Sequence, residues 1–448
     1  MGGIVGIAES GMRKEVNRML DKIAHRGKFA RKVAEFDNVT LGAVYSEVQK
    51  EQIDSLEKDK IASDFVADGH YAYAKILNDG LFLERDQLGV SPLYYGFNEN
   101  EALCFASEVK ALIEFINDVQ EFPPGHRYIS NKTESYYKLE KKPPLDLNPD
   151  NIASELYKRL EISVSGFVVG NDPMGVWLSG GLDSSTMASF ARPLVRKLHT
   201  FSAGFPDAPD LVHARLMSEH IGSDHHEIIV NLDDLLSALP EVIYHLESFD
   251  ALLVRSSIAN FLVSEEASRH VPAVLSGEGG DELFAGYIYL KSLDLTELDN
   301  ELIDITGRLH NTALQRVDRS ASAHGTVAHV GFLDPKVVEY ALQIPVKYKI
   351  FQNVEEWILR KAMTEKLPKQ ILNRKKAKFW YGSGIETCLH EYAEAQIDNE
   401  EFERFRKLPS GLILNTKEEY MYYRMFRKYF KDLKKFSWMG RTKGAPKQ

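Results

Sequence analysis

The sequence has little cysteine and no long apolar run. Its 448 residues include two cysteines, Cys104 and Cys388, which are too few for a disulfide framework or a four-thiolate metal site. No apolar stretch reaches transmembrane length, and the start lacks the basic region and apolar core of a signal peptide. The formal net charge of −10 argues against a general nucleic-acid or membrane-surface role. These absences predict a cytoplasmic protein with neither kind of partner.

The kinase-type phosphate loop GxxxxGK[ST] is also missing. A different glycine-rich segment, SGGLDSS at residues 179–185, follows a short apolar run, and a helical pattern begins at Asp183. A glycine turn joined to a helix N-terminus directs unpaired N–H groups and the positive end of the helix dipole at one spot, which suits a phosphate or pyrophosphate group. The alternative is a serine–glycine turn that only caps a helix.

A second glycine-rich segment, LSGEGGDELFAGY at residues 275–287, follows the apolar run 271–274. It places Glu278, Asp281 and Glu282 within five positions. Clustered carboxylates beside a phosphate loop suit Mg²⁺, which prefers oxygen ligands and bridges ATP phosphates. An acidic surface turn would explain this segment alone, but the occurrence of both segments after buried-strand patterns favours a nucleotide site.

Together the two segments resemble the synthetase domain of the asparagine synthetase family, whose relatives include β-lactam synthetases. The resemblance extends over most of residues 150–390 and includes HTFSAGF at 199–205, IYHLESFDALLVRSS at 243–257, RVDRSASAHG at 316–325 and NRKKAKF at 373–379. It implies a PP-loop ATP pyrophosphatase fold of the adenine nucleotide α-hydrolase-like kind, with ATP and Mg²⁺ as cofactors and a homodimeric assembly.

The chain divides at a proline-rich, charged linker near residues 140–150, which predicts domains 1–145 and 146–448. The first is rich in short strand patterns, and in the second strands alternate with helical stretches such as 211–221 and 255–270, which indicates a parallel sheet wrapped by helices. Overall the fold class is α/β and α+β. The first domain contains GIVGI at 3–7, LERDQLGVSPLYYG at 83–96, FASEVKAL at 105–112 and EFPPGH at 121–126. With these segments it resembles a class II glutamine amidotransferase domain, and the resemblance implies an αββα fold of the N-terminal-nucleophile hydrolase kind.

The first domain departs from that family where its chemistry resides. The family hydrolyses glutamine with a cysteine exposed after methionine removal, but this chain has Gly2 there. Glycine carries no nucleophile, so the thioester route is closed, and Cys104 lies inside a matched strand. The glutamine-binding Asn-Gly-Glu stretch is not recognisable between Val44 and Asp68. The domain is therefore interpreted as a degenerate glutaminase that serves packing, dimerisation or gating.

The resemblance also implies roles for individual residues of the synthetase domain. The loop Ser179-Gly180-Gly181 and Ser184 would hold the pyrophosphate, and Asp183 and Asp281 would hold magnesium. Lys376 would neutralise the leaving group, unless it belongs to a solvated lysine run. The positions that line the adenosine pocket in relatives are Trp177, Ala203, Ser276 and Gly277.

Glu278 distinguishes members within the family. Asparagine synthetases carry glutamate at this position, where it is thought to act as the base toward ammonia, whereas β-lactam synthetases carry tyrosine. Glu278 therefore favours an intermolecular nitrogen nucleophile, either ammonia or an amine. Arg255 and Arg316 match basic family positions and would orient the substrate carboxylate and phosphates; a surface ion pair is the alternative for each.

Residues 323–334 read AHGTVAHVGFLD, whereas the family continues AHGxExRxPFLD. Val327, His329 and Gly331 replace glutamate, arginine and proline. Losing a buried glutamate and arginine together is the pattern expected when an internal ion pair is removed, since losing one alone would leave an uncompensated charge. The change is either structural or the mark of a reshaped acceptor pocket.

Three hypotheses follow. The chain is an ATP-dependent ligase that adenylates a small-molecule carboxylate, aspartate or an analogue, and passes the acyl group to ammonia or an amine without using glutamine. Alternatively it closes an intramolecular amide as β-lactam synthetases do, which the lost glutaminase favours and Glu278 disfavours. The third hypothesis, a non-catalytic regulatory paralogue, is disfavoured by the intact Ser179, Asp183, Asp281 and Lys376.

Overall fold

The computed structural model describes residues 2–67, 69–77, 80–168, 172–375, 385–430, 433 and 435–443. Its strands are β1 (Gly3–Ile7), β2 (Ala30–Phe36), β3 (Val39–Tyr45), β4 (Ile61–Ala67), β5 (His70–Leu77), β6 (Gly80–Arg85), β7 (Tyr94–Phe97), β8 (Leu103–Ala106), β9 (Gln120–Glu121), β10 (His126–Ile129), β11 (Lys132–Ser135), β12 (Met174–Trp177), β13 (Leu198–Gly204), β14 (Asp224–Ile229), β15 (Ala273–Ser276) and β16 (Val327–Val330).

The α-helices are α1 (Arg13–Lys22), α2 (Ser55–Lys58), α3 (Pro149–Val168), α4 (Leu182–Ala191), α5 (Pro209–Ile221), α6 (Leu232–Leu246), α7 (Ala251–Ala267), α8 (Gly280–Phe284), α9 (Leu295–Gly307), α10 (Ala313–Ala323), α11 (Pro335–Ala341), α12 (Trp357–Ala362), α13 (Lys369–Leu372), α14 (Ile385–Gln396), α15 (Asn399–Phe405) and α16 (Lys417–Tyr429). Short 3₁₀ helices span Ala24–Arg26, Glu47–Gln52, Val109–Ala111, Arg192–Leu194, Ile288–Ser292, Leu309–Asn311, Gly331–Leu333 and Val346–Tyr348. Among the described helices, none is long and apolar enough to cross a membrane.

Two antiparallel sheets form the N-terminal part of the molecule. Their strand orders are β2-β3-β1-β8-β7-β9 and β11-β10-β6-β5-β4. Ile4, Leu41 and Phe105 of the first sheet share one buried apolar cluster with Ala72 and Leu83 of the second, so the sheets pack face to face. Helix α1 lies against the first sheet, and β3 is buried along its whole length, as expected for a strand covered on both faces.

A five-stranded parallel sheet forms the centre of the C-terminal part. Its order is β14-β13-β12-β15-β16, and every pairing is parallel. Helices such as α4 and α7 pack against it, and β12, β13, β15 and β16 are buried throughout. The predicted fold class is confirmed. The carboxyl ends of β12, β13 and β15 meet at one edge, which is where ligands bind in open parallel sheets.

A buried ionic cluster joins the antiparallel sheets to helix α10. The guanidinium of Arg26 is 0% exposed and donates to both oxygens of Asp318 at 2.8 Å and to Glu108 at 2.9 Å. From α10, Arg319 donates to Glu247 at 3.0 Å and lies 3.1 Å from Glu108. Because charges inside a protein are tolerated only when paired, these contacts hold the two parts of the chain in one arrangement.

The substituted segment at 327–331 comprises the buried strand β16 and the residue that follows its carboxyl end. His329 on β16 is 1% exposed and stacks on Phe167 of α3, with ring centroids 4.9 Å apart. The carbonyl of Gly331 accepts a 2.7 Å hydrogen bond from Ser163. These contacts favour the structural explanation of the substitutions, in which an internal ion pair has been replaced by packed, uncharged groups.

His329 gives the fold a predicted sensitivity to acid. Burial lowers the pKa of His329 from 6.5 to about 3, so the unfolded chain takes up a proton below pH 6.5 that the folded chain does not, and stability is lost as the pH falls toward 3. Between pH 7 and 5 this one group removes about 2 kcal/mol. The variant His329→Phe is expected to flatten the dependence of the denaturant midpoint on pH over this range. In the control variant His220→Phe, at an exposed position, the denaturant midpoint should depend on pH as steeply as in the parent. The same steep dependence in His329→Phe would show that His329 is not the source of the acid sensitivity.

Candidate active site at the carboxyl edge of the parallel sheet

A cavity of about 420 Å³ opens where β12 and β15 end. Most of the residues predicted for the site line it, namely Trp177, Ser179, Gly181, Asp183, Ser184, Ala203, Ser276, Gly277, Glu278, Asp281 and Arg316. These residues come from segments up to about 140 positions apart in the sequence. The parallel sheet brings them together because its strands deliver their carboxyl ends to the same edge.

Three predicted residues are not among those that line the cavity. Gly180 adopts φ of +67° and faces α5, where a side chain would collide with His213, so it shapes the turn rather than the cavity wall. Arg255 pairs with Glu418 of α16, which also accepts a 2.8 Å hydrogen bond from Tyr422. Lys376 lies outside the described residues.

The first glycine-rich loop surrounds the N-terminus of α4. The Oγ atoms of Ser179 and Ser184 are 3.1 Å apart, and the Ser179 N–H donates to Ser184 Oγ at 3.3 Å. From the far side, Arg374 donates to the Ser179 carbonyl at 2.9 Å. The loop therefore concentrates hydroxyls and a guanidinium at the positive end of a helix, a combination that suits a pyrophosphate group.

The second loop lies directly against the first. A Cβ atom on Gly277 would be 2.7 Å from the backbone nitrogen of Ser184, and one on Gly280 would collide with the carboxylate of Asp183. Only glycine permits this approach. The close packing explains why the second loop is rich in glycine and how Asp281 comes to face Asp183.

Three carboxylates converge in the cavity. Oxygen atoms of Asp183, Asp281 and Glu356 all lie within 4.8 Å of one another. This donor set consists only of oxygen, which is the ligand type that Mg²⁺ prefers. The residues present thus fit a magnesium ion of the kind that accompanies ATP.

The neighbouring charges show how strongly the cavity favours a cation. Burial, together with repulsion by Glu278 and Asp281, raises the pKa of Glu282 to about 8, and Tyr287 donates a hydrogen bond to this carboxyl. Arg316 forms an ion pair with Glu278. Repulsion among these neighbouring carboxyls favours the binding of a cation beside them.

Sequence reasoning missed several residues of the cavity. Glu356 is fully buried with φ of +53°, and Arg360 lies 3.6 Å from it and 3.1 Å from Glu355. Arg374 also pairs with Asp210 at the start of α5. Arg374 belongs to the basic run at 373–379, which the sequence already singled out. Glu356 has no such signal, because an acidic pair before a short helix is common and Glu356 lies about 75 positions after Asp281, the residue it approaches in the cavity.

Comparison with known proteins agrees with this geometry. Residues 155–304 and 294–445 match the asparagine synthase family, and residues 46–114 match a glutamine amidotransferase domain. Asparagine synthetase B (glutamine-hydrolyzing) of Escherichia coli is 34% identical over 415 residues, covering 87% of this chain and 73% of that protein. Asparagine synthetase (glutamine-hydrolyzing) 3 of Arabidopsis thaliana is 35% identical over 398 residues, covering 81% and 67%.

Among solved structures, the NMN synthetase of Francisella tularensis is 12% identical with a TM-score of 0.30, covering 65% of this chain and 98% of that one. This structural similarity is low. The family matches and the sequence identities are sufficient without it: the chain belongs to the asparagine synthetase family of ATP-dependent carbon–nitrogen ligases.

Proposed function

We propose that this chain is an ammonia-dependent ligase that adenylates a small carboxylate, aspartate or an analogue, and does not use glutamine. The observation that carries the proposal is the closed site around Gly2. The cavity at the sheet edge keeps the groups needed for adenylation, whereas the place of the glutaminase nucleophile has neither a thiol nor room for one.

Gly2 is buried beneath the side chain of Gln49. A Cβ atom on Gly2 would lie 2.6 Å from the Val44 carbonyl and collide with the Gln49 amide. Gln49 is itself held by hydrogen bonds of 3.2 Å to Asp64 and to the Ser46 N–H. Cys104 is no substitute, because burial raises the pKa of its thiol to about 12 and the thiolate is the nucleophilic form.

Replacing Gly2 with cysteine tests whether the domain has lost more than its nucleophile. We expect Gly2→Cys to show no glutaminase activity, because the thiol would have to displace Gln49 and would still meet the Val44 carbonyl. Glutamate release from glutamine measures the outcome. The double variant Gly2→Cys, Gln49→Ala is the control, since it removes the movable obstacle. Glutamine hydrolysis by the single variant would show that the pocket persists.

In the proposed first step, a substrate carboxylate oxygen attacks the α-phosphorus of ATP and the bond to the bridging oxygen breaks, which releases pyrophosphate. Ser179, Gly180, Gly181 and Ser184 would hold the departing group through N–H and hydroxyl donors. Preorganised donors aimed at developing charge are usually the largest electrostatic contribution to catalysis. Trp177, Ala203, Ser276 and Gly277 would enclose the adenosine.

Asp183, Asp281 and Glu356 would hold Mg²⁺, which supplies charge neutralisation for the pyrophosphate. Lys376 is proposed to assist there. Arg316 is proposed to orient the substrate carboxylate. The same role remains a proposal for Arg255, although its pairing with Glu418 gives it an independent structural purpose.

In the second step ammonia attacks the acyl carbon, the bond to the AMP oxygen breaks, and one proton leaves the nitrogen. Glu278 is proposed to accept that proton. Its ion pair with Arg316 holds the carboxylate in position until substrate competes for the arginine.

Changing Glu278 separates the two steps. We expect Glu278→Gln to slow amide formation by about 10²–10⁴-fold, the usual contribution of a general base, and to affect adenylation much less. Exchange of labelled pyrophosphate into ATP measures adenylation, and product amide measures the second step. The conservative Glu278→Asp should restore part of the amide rate. Equal loss in both assays would remove the proposed role.

The experiment that tests the function is pyrophosphate release from Mg-ATP with a panel of amino-acid carboxylates, each with ammonium or with glutamine. Release with aspartate and ammonium but not with glutamine supports the proposal. Release with another acid identifies the acceptor. Conversion of a substrate into its own cyclic amide, with no amine added, would instead indicate intramolecular closure. No pyrophosphate release with any member of the panel would overturn the proposed ammonia-dependent reaction and favour either a specialised intramolecular amide closure or a regulatory paralogue. The domain boundary at residue 145 and a homodimeric assembly are parts of the same proposal.

A further inference from the structure

Three histidines form a cluster toward the amino-terminal ends of β13 and β14, where Phe201, which lines the nucleotide cavity, stacks on one of them, His226. His199 lies near the start of β13, His226 lies on the edge strand β14, and His270 follows the end of α7. From His199 to Ala203, which lines the cavity, the strand runs about 13 Å at its usual rise per residue. The three histidines are not among the residues that line the nucleotide cavity, so the cluster is a separate group of side chains.

The ring nitrogens of these histidines are close enough to share one ion. One nitrogen of each side chain lies within 4.8 Å of the other two, and His199 Nδ1 is 2.9 Å from His226 Nε2. In a tetrahedral zinc site with Zn–N distances of about 2.0–2.1 Å, ligand nitrogens are about 3.3 Å apart. Small side-chain movements would bring the three nitrogens to that spacing.

Carboxylates stand beside the cluster as they do around metal-bound histidines. Glu266 accepts a 2.9 Å hydrogen bond from His270 Nε2, the type of contact that fixes the ring of a metal ligand. Asp224 Oδ2 is 3.7 Å from His199 Nδ1 and pairs with Lys197 at 2.8 Å, so it would have to exchange that partner to supply oxygen for a fourth position. The cluster thus has three imidazoles, a candidate fourth ligand and a supporting carboxylate.

The elements that carry the histidines are well supported. His226 pairs in register with Phe201 across the two strands, and their rings stack with centroids 4.9 Å apart. The side chain of His199 is 6% exposed and that of His270 is 30% exposed. A site on strands and a helix end holds its ligands more exactly than a loop would, and the partial exposure of His270 gives an ion a route in from solvent.

We propose that His199, His226 and His270 form a binding site for a divalent transition-metal ion of the Zn²⁺ type. Imidazole nitrogen suits Zn²⁺, Cu²⁺ and Ni²⁺, whereas Mg²⁺ takes oxygen, so this site and the carboxylate cluster select different ions. A bound ion would join the edge strand β14 to the end of α7 and stabilise the sheet independently of ATP.

The test is calorimetric titration of the chelator-treated, full-length protein with Zn²⁺, in excess Mg²⁺ so that the carboxylate cluster is occupied. We expect one Zn²⁺ bound per chain and a rise in melting temperature. Titration with Co²⁺ should give the visible absorption of a four-coordinate ion with nitrogen ligands.

Variants assign the binding to the cluster. We expect His226→Gln and His270→Gln each to weaken Zn²⁺ binding by more than about 100-fold, because removing a metal ligand lowers the affinity more than removing a group that only orients a ligand. Glu266→Gln should weaken it about 10-fold. Glu265→Gln on the same helix and His220→Gln on exposed α5 are the matched controls and should bind as the parent does. Absence of binding by the parent, or binding that survives both histidine variants, would overturn the proposal and leave a packed histidine cluster.

Discussion

Asp281→Asn is expected to abolish pyrophosphate release while leaving the fold intact. Asp281 converges with Asp183 and Glu356, and the substitution replaces a charged ligand with a neutral amide of the same shape. Metal-assisted stabilisation of a transferring phosphoryl group contributes several kcal/mol, so the loss should be at least about 10³-fold. Initial rates of pyrophosphate release at saturating Mg-ATP measure it, and the melting temperature reports the fold.

Asp299→Asn is the matched control. Asp299 lies on the surface of α9 and pairs with Lys141 at 2.9 Å, so the same chemical change there should alter the rate by less than about two-fold, because an exposed pair contributes little. Raising the concentration of Mg²⁺ should recover part of the Asp281→Asn rate if the lesion is in metal affinity. A variant that keeps more than a tenth of the parent rate would show that Asp281 does not hold the metal.

The second large effect is expected on stability from Arg26→Met. Arg26 is buried between Asp64, Glu108 and Asp318, with N–O distances of 2.8 to 3.2 Å, and its loss leaves those carboxylates without their shared cation. Breaking a buried ion pair on one side costs about 3–5 kcal/mol, which corresponds to a fall in melting temperature of the order of 10 °C. Differential scanning calorimetry measures the change.

Arg18→Met tests whether the loss of stability depends on the burial of the arginine. Arg18 pairs with Glu114 at 2.6 Å, but its side chain is 52% exposed, so its loss should change stability by less than about 1 kcal/mol. The double variant Arg26→Met, Asp64→Asn should regain part of the stability, since it removes a carboxylate that pairs with Arg26, whereas Asp318 keeps its ion pair with Arg319. Equal melting temperatures for Arg26→Met and Arg18→Met would contradict the role assigned to the cluster.

The two glycine-rich loops could be predicted because their signals are local. Each follows an apolar strand pattern, and the structure has β12 and β15 there. Helix limits were less accurate: the helix predicted at 255–270 spans Ala251–Ala267, because Asp250 caps it by accepting from the Leu253 N–H at 3.0 Å. Asp250 lies five positions before the predicted start at residue 255, and capping by a single aspartate gives no periodic signal.

What the sequence could not reveal depends on contacts between distant segments. Glu356 and Arg360 reach the cavity because α12 packs against α8 of the second loop. The pattern of apolar residues around α12 does not reveal this packing. The histidine cluster is of the same kind, since His199, His226 and His270 are spread over about 70 positions without metal-ligand spacing. The pairing of Arg255 with Glu418 likewise depends on where α16 docks.

The central claim, ligation from free ammonia, is tested most directly by the origin of the product nitrogen. The parent protein is incubated with Mg-ATP, the carboxylate that supports pyrophosphate release, ¹⁵N-ammonium and an equal concentration of unlabelled glutamine. Mass spectrometry then reads the amide. Product that carries only ¹⁵N, with one pyrophosphate released per amide and no glutamate formed, is the predicted result. Unlabelled amide nitrogen accompanied by glutamate would contradict the account.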